Sequence, residues 1–164
     1  MKKKIVLMLT VIMLIGLAGC GKNQINIKET GTSDNKEQMV QNIYENKRTE
    51  VKQKISEIKE RLPETSAEDK GTCGSKAKWY YKDNTLIIYG EGEITEDTWH
   101  KSNIVINTVV IDSGITKLGN NMFSGLGSEV GKNIENFYIA DGLEEIGSST
   151  FVTCDCLSEI VLPP

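Results

Sequence analysis

The sequence lacks the residues and motifs of most catalytic and metal sites. It has one histidine in 164 residues, which excludes a His-rich metal centre. It contains neither G-x-S-x-G nor H-E-x-x-H, the signatures of a serine nucleophile elbow and of a zinc protease. No apolar run reaches the roughly 20 residues that a membrane-spanning helix needs. We therefore expect no enzyme activity, no metal and no cofactor; a hydrolase is the weakest alternative, because no residues support it.

Acidic residues outnumber basic ones, and the excess lies in one part of the chain. The formal net charge is -4, and without the three lysines of residues 1–19 it becomes about -7. Residues 21–72 carry ten basic and ten acidic side chains, whereas residues 73–164 carry six and thirteen. Nucleic-acid binding rests on a basic footprint, so we exclude nucleic acid as a partner. The acidic part either attracts basic partners or cations, or keeps an exported protein soluble, which is the favoured interpretation.

A short hydrophobic segment follows the basic N-terminus. Ile5–Ala18 is a run of 14 almost entirely apolar residues, too short for a membrane span and typical of a secretory signal. The stretch Leu17-Ala18-Gly19-Cys20 resembles the lipobox of bacterial lipoproteins. This resemblance implies that residues 1–19 are a lipoprotein signal peptide, recognised at Leu17, Ala18 and Gly19. It also implies that the Cys20 thiol is diacylated and that Cys20 becomes the mature N-terminus.

The implied lipid anchor determines where the protein resides. Two acyl chains hold a protein stably at a bilayer, whereas one chain holds it only marginally. The resemblance therefore places the mature chain on the extracytoplasmic face of the cell membrane, with the membrane as a partner through Cys20. Residues 20–32 are polar and are expected to form a flexible tether. The alternative is an ordinary signal peptide in which the cysteine occurs by chance.

Residues 33–62 are predicted to form one long helix, a helical stalk. Apolar residues at steps of four, three and four make a heptad seam: Val51, Ile55, Ile58 and Leu62. Lys47 and Arg48 interrupt the seam upstream, so only about two heptads are clean. Two roles are left open. The helix is either a self-associating stalk, or a solvated spacer that lifts the C-terminal part off the membrane and packs its apolar stripe on it.

The segment after the helix is predicted to be a linker followed by a hairpin. Pro63 ends the helix, and residues 63–71 are polar. Two apolar and aromatic runs flank the turn residues Lys82, Asp83 and Asn84, which predicts a β-hairpin within residues 72–103. This hairpin is expected to cap the repeats that follow, with Trp99 and His100 where the cap meets the first repeat.

Residues 104–164 contain an internal repeat. Residues 106–123 align without gaps with residues 134–151, so that the apolar positions coincide. A third copy begins at Leu157 and stops at Pro164. Side chains alternate at the start of each unit, which predicts a strand there. About 2.5 units are present, whereas a repeat array normally needs three units and a terminal cap. We expect that the long helix or a partner covers the last strand, or that the chain is a piece of a longer array, which is slightly favoured.

Two glycines and two phenylalanines recur at matching positions of the units. Gly114 and Gly142 lie where the chain has to turn sharply, which predicts a positive φ at both. Phe123 and Phe151 are expected to fill the core. One unit cannot bury its apolar face alone, so the units are expected to stack.

The repeats resemble the BspA-like, or Treponema-type, leucine-rich repeats of bacterial surface proteins. That pattern runs roughly as L-x-x-I-x-I-P, then V-x-x-I-G, then A-F-x-x-C. The matching residues are Leu157, Ile160, Leu162 and Pro163 for the first part, Leu143, Ile146 and Gly147 for the second, and Phe151 and Cys154 for the third. The resemblance covers residues 71–164. It implies a mainly β or α+β fold: a short leucine-rich-repeat solenoid with an N-terminal β-hairpin cap.

Three cysteines besides Cys20 need an interpretation. They are Cys73, Cys154 and Cys156, and an odd number cannot all pair within the chain. A bridge between Cys154 and Cys156 would be strained. Buried free thiols are favoured over a disulfide of Cys73, and a metal site is the weakest alternative.

The stacked strands of a solenoid form a continuous surface that suits binding. The residues that face away from the predicted core form two columns: Thr108, Asn136 and Glu159, and beside them Val110, Tyr138 and Val161. Tyrosine is enriched at interface hot spots, so Tyr138 is the candidate anchor for a protein or glycan ligand. Alternatively, Tyr138 covers its neighbours in the sheet.

These observations leave three interpretations of function. The first is a lipid-anchored surface protein for protein–protein interaction or adhesion. The second is an envelope scaffold that binds a cell-wall or carbohydrate partner. The third is a fragment of a longer repeat protein with no independent activity.

Overall fold

The computed structural model describes residues 33–102, 104–124 and 130–164. The predicted signal peptide, its recognition residues, the lipid attachment residue Cys20 and the tether lie outside the described residues. Within these ranges the chain is mainly sheet with one α-helix, α1 (Ser33–Arg61). The strands are β1 (Asp69–Thr72), β2 (Lys76–Lys82), β3 (Thr85–Ile94), β4 (Thr108–Ile111), β5 (Ile115–Leu118), β6 (Asn136–Ile139) and β7 (Glu145–Ile146). The sheet is open, with the order β1-β2-β3-β4-β6, and β5 pairs with β3 and β7.

The predicted hairpin is present and is formed by β2 and β3. The two strands pair in antiparallel fashion down to Lys82 and Thr85. Asp83 and Asn84, between them, have φ values of 47° and 55°. Two successive residues in the left-handed region make a tight turn whose twist matches that of the flanking strands.

Residues 63–71 are not a linker throughout, because β1 begins at Asp69 and pairs with β2. The Trp79 indole lies over Gly71, where a Cβ would approach the indole nitrogen to 2.9 Å. Four mostly polar residues give almost no periodic signal in the sequence. The strand is held by main-chain pairing and by the tryptophan that covers its glycine.

β3 belongs to two parts of the sheet. Its first half pairs in parallel with β4, Thr85 opposite Thr108. Beyond an irregularity at Gly92 and Glu93, its last residues pair with β5. β4 and β5 pair in turn with β6 and β7. The chain therefore makes three stacked turns, which we call coils: β3, then β4 with β5, then β6 with β7.

Each coil contributes one aromatic ring to a continuous stack in the core. The ring centroids of Trp99 and Phe123 are 5.4 Å apart, and those of Phe123 and Phe151 are 6.3 Å apart. Trp79 of β2 meets Trp99 edge to face, so Trp99 lies between the hairpin and the ring of the next coil. Trp99 and Phe123 are fully buried, whereas Phe151, the last ring of the stack, is only partly buried.

The two repeat glycines are required for different reasons. Gly142 has a φ of +110°, in agreement with the prediction. The same prediction is wrong for Gly114, which has no positive φ. A Cβ at Gly114 would lie 1.9 Å from the carbonyl oxygen of Gly90. Close packing of one coil on the next therefore explains this glycine.

Residues 157–164 follow the third coil and form no strand; we call them the terminal segment. Leu157 and Ile160 are buried in the core, and Leu162 packs partly against it. The third repeat copy thus contributes side chains to the core without extending the hydrogen-bonded sheet.

α1 lies on the outer face of the sheet. Its seam residues Val51, Ile55, Ile58 and Leu62 form an apolar cluster with Tyr80, Ile87 and Val110 of β2, β3 and β4. From residue 44 to residue 61 the helix rises about 26 Å, enough to cross several strands at about 4.8 Å each. α1 is too polar to be a bilayer-spanning helix, and no other helix in the described part of the chain qualifies.

The helix predicted at 33–62 is therefore present, but most of it is not a free stalk. Two roles were left open for the helix. In the structure its apolar stripe packs on the C-terminal part of the chain. The seam is buried, so self-association through it would require the helix to leave the sheet. The stretch 35–42 of α1, which includes Met39 and Val40, is exposed at every position.

The three described cysteines are free thiols in different surroundings. Burial raises the pKa of Cys73 to about 12 and that of Cys154 to about 11. Cys156 is exposed, unlike the other two. Because the thiolate is the reactive form, we expect a disulfide reagent at pH 8 to modify one thiol in the folded Cys20→Ser variant and three in urea. A second thiol that reacts rapidly without urea would contradict the burial of Cys73 and Cys154.

Candidate functional site

The column predicted as Val110, Tyr138 and Val161 lies beneath α1. Val110 is fully buried, and Tyr138 and Val161 pack against the same cluster as Val51 and Ile55 of the helix. Tyr138 is therefore half-buried beside the helix, which agrees with its covering its neighbours in the sheet better than with an open face. The chain's own helix occupies the surface that the sequence assigned to a ligand.

The column predicted as Thr108, Asn136 and Glu159 runs along the border of the helix. Thr108 lies opposite Thr85 on one side and Asn136 on the other, so these side chains form a polar row at the start of three parallel strands. Glu159 forms an ion pair with Lys47 of α1. Asn136 is exposed and Thr108 is half-buried. This row therefore remains in part available to a ligand.

Arg48 continues the buried seam of α1 instead of interrupting it. The steps from Tyr44 to Arg48 and from Arg48 to Val51 are four and three residues, and both Tyr44 and Arg48 are buried. The spacing could have placed Arg48 in the seam. Its charge argued against that position, because an arginine is almost never fully buried unless it is paired.

The Arg48 guanidinium lies between β6 and the terminal segment. Nη1 donates to the carbonyl oxygens of Ile139, at 2.9 Å, and Val161, at 3.0 Å. Nη2 donates to Asp141 Oδ1 at 2.6 Å. In the preceding coils the main-chain N–H of Asp112 donates to Ile88 O, and that of Ala140 donates to Ile111 O.

The equivalent donor for Ile139 O is missing from the terminal segment. One repeat step of 23 residues beyond Ala140 lies Pro163, which has no N–H. Arg48 therefore supplies the hydrogen bond that the proline cannot make. The inserted side chain also explains why the terminal segment does not join the sheet as a strand.

Neighbouring residues of α1 hold the same region. Tyr44 Oη donates to Leu162 O at 3.0 Å, and Lys52 Nζ lies 2.7 Å from Asp141 Oδ2. Hydrogen bonds from Lys52 and Arg48 hold the pKa of the Asp141 carboxyl below its usual range. We call Tyr44, Lys47, Arg48 and Lys52 the clamp, because together they fix the terminal segment and Asp141 to the helix.

The side of the stack beyond the third coil has no further coil in the described part of the chain. There β7 pairs only with β5, Phe151 is partly buried, and Val152 is 38% exposed. We call this side, made by Phe151, Val152 and β7, the open edge. An unpaired strand beside exposed apolar side chains is the usual template for pairing with another chain.

A cleft of about 410 Å³ lies between the C-terminal half of α1 and the strand starts. The helix contributes Lys54, Glu57 and Arg61 to its lining, and the sheet contributes Thr85, Thr108 and Tyr138. Two of the six predicted face residues, Thr108 and Tyr138, therefore meet in one concave site. The prediction missed Lys54, Arg61 and Thr85, because the sequence does not say which flank of the seam faces the strand starts.

Within 33–102, 104–124 and 130–164, no three His, Cys, Asp or Glu side chains are grouped so that they could hold a metal ion. The described site thus consists of a clamp, an open edge and a cleft.

No family model and no curated protein matches the chain. Among solved structures, it is similar to a leucine-rich repeat protein from Eubacterium ventriosum, with 24% sequence identity and a TM-score of 0.43. The match covers 52% of this chain and 23% of that one, so the chain spans about a quarter of that protein's length at most.

Proposed function

We propose that this chain is a lipid-anchored protein-interaction module of the bacterial cell surface, and that a partner polypeptide docks at its open edge. The observation that carries the proposal is the unfinished aromatic stack. Each ring is followed by the ring of the next coil as far as Phe151, which is only partly buried. Stacked repeats bury their apolar faces against neighbours. Here only the terminal segment follows the third coil, and the side made by Phe151 and β7 has no further coil against it in the described part of the chain.

The partner that fits this edge is a polypeptide of the same repeat type. Such a coil would place a ring against Phe151 and a strand beside β7, as each coil does for the next. Addition of a strand to a free sheet edge is a recurring mode of peptide recognition, in which main-chain hydrogen bonds supply affinity. The outer face of β4 and β6 is less suited, because α1 covers it.

The lipid anchor is supported by the basic start, the apolar run and the Leu17-Ala18-Gly19-Cys20 stretch. Residues 21–32 could extend over about 40 Å. Metabolic labelling with a palmitate analogue is expected to mark the wild-type chain and not Cys20→Ser. Equal labelling of the two would contradict the anchor.

Site-specific photocrosslinking in the expressing bacterium tests the docking site. A photoreactive phenylalanine analogue at position 152 lies on the open edge, and the same analogue at position 105 is the matched control. Both positions hold exposed valines, 38% and 51% accessible. We expect position 152 to yield one discrete adduct whose partner carries repeats of the same spacing, and position 105 to yield none.

Three other results of this experiment would overturn the proposal. They are no adduct at position 152, the same adducts at both positions, and a discrete partner without such repeats. An adduct with a second copy of this chain would support edge-to-edge pairing, because each copy carries the repeat.

A further inference from the structure

The cleft beneath α1 differs in charge from the rest of the domain. Residues 73–164 carry thirteen acidic and six basic side chains, yet the charged residues that line the cleft are Lys54, Arg61 and Glu57. All three come from the helix. Two cations against one carboxylate leave a local excess of one positive charge.

That excess charge is centred on Arg61. Lys54 Nζ lies 3.0 Å from Glu57 Oε2, and this hydrogen bond raises the pKa of Lys54 and lowers that of Glu57. Their charges therefore largely offset one another. Arg61 has no ion pair or hydrogen bond with any of the described side chains. Its fork of N–H donors matches the geometry of a carboxylate, which it can bind through two parallel hydrogen bonds.

The opposite wall of the cleft is suited to a polyhydroxylated ring. Thr85 and Thr108 are register partners at the starts of β3 and β4, and both line the cleft. Thr85 is buried and its hydroxyl donates to Asp83 O at 3.3 Å, but a hydroxyl can both donate and accept. Tyr138 adds the flat apolar surface of its ring, with its own hydroxyl 3.5 Å from Asn136 Oδ1. A volume of about 410 Å³ lies in the range of small-molecule sites.

We propose that this cleft binds an acidic saccharide unit, a sugar ring that carries one carboxylate. Arg61 holds the carboxylate, Thr85 and Thr108 bond the ring hydroxyls, and Tyr138 packs against the ring carbons. The proposal goes beyond docking at the open edge and rests on different residues. Either proposal can therefore fail without the other.

Titration of the ¹⁵N-labelled chain, residues 21–164, with D-glucuronate tests this proposal. A ligand of this size with ordinary efficiency binds with a Kd of about 1 mM. We expect saturable shifts of the amides of Thr85, Thr108 and Tyr138. Glucose, which lacks the carboxylate, and acetate, which lacks the ring, are expected to bind about tenfold more weakly.

Arg61→Ala is expected to weaken glucuronate binding about tenfold, and the matched control Lys36→Ala is expected to leave it unchanged. Both side chains are exposed, so neither change should disturb the fold. The absence of saturable shifts would overturn the proposal, as would equal binding to Arg61→Ala and to the wild type. Acetate binding as tight as glucuronate binding would show that the cleft recognises only a carboxylate. Glucose binding as tight as glucuronate binding would show that the carboxylate contributes nothing to affinity.

Discussion

Arg48→Ala is expected to lower the free energy of unfolding by about 3 kcal/mol. The Arg48 side chain is buried, at 3% exposure, and donates to Ile139 O, Val161 O and Asp141. Its removal leaves buried carbonyl oxygens without a donor, and Pro163 cannot supply one. Urea unfolding at pH 7, followed by circular dichroism, measures the change.

Two matched variants separate the position of Arg48 from its charge. Arg61→Ala removes an exposed arginine from the same helix and is expected to change stability by less than about 0.5 kcal/mol. Arg48→Lys keeps the charge but loses the planar fork, so it is expected to recover less than half of the lost stability. A loss below about 0.5 kcal/mol in Arg48→Ala would show that the clamp is not formed.

Acid should reduce the difference in the free energy of unfolding between Arg48→Ala and the wild type. Lys52 and Arg48 hold the pKa of Asp141 below its usual range in the folded chain. The stability that this carboxylate contributes is therefore complete above its unfolded pKa, about 3.9, and is lost as the pH falls through the lowered folded pKa. The stability difference between the two chains is expected to be constant from pH 5 to 7 and smaller below about pH 4.

Phe123→Ala is expected to destabilise the chain by about 4 kcal/mol. Phe123 is fully buried between Trp99 and Phe151 and also meets Phe137 edge to face at 4.9 Å. Its loss creates a cavity in the middle of the stack, which neighbouring rings on adjacent coils cannot fill without breaking the strand register. Thermal and urea unfolding both measure this effect.

Phe151→Ala is the internal comparison for the aromatic stack. The ring belongs to the same stack but is only partly buried, so the expected loss is about 2 kcal/mol or less. Val152→Ala, next to it on the surface, is expected to cost less than about 0.5 kcal/mol. A loss in Phe151→Ala as large as that in Phe123→Ala would mean that the open edge is buried and could not receive a partner.

The repeated part of the fold is readable from the sequence because its signals are local. Alternating side chains place β4 and β6, and the turn residues Asp83 and Asn84 place the hairpin. The repeat pattern does not reveal the first coil, although Thr85 lies 23 residues before Thr108, the same step as from the second copy to the third. The aromatic runs around the turn favoured a hairpin, and β3 serves as a hairpin strand and a coil at once.

The position of α1 could not be read from the same signals. A heptad seam predicts an apolar stripe but does not name the surface that it covers, and the outer column of Val110 and Tyr138 has the residues of a binding face. The apolar stripe of α1 and the outer apolar column of the sheet are complementary, and in the structure each buries the other. Lys54 and Arg61 line the cleft because of the angle at which α1 packs on the sheet, and the sequence does not specify that angle.

Comparison of residues 64–164 with residues 21–164 in urea tests most directly whether α1 is part of the folded domain. The longer chain is expected to unfold in one cooperative transition as a soluble monomer. The shorter chain exposes Ile87 and Val110, both fully buried under the helix, and is expected to aggregate or to lose cooperativity. A shorter chain that remains a monomer and unfolds cooperatively at the same midpoint would show that the helix is a detached stalk.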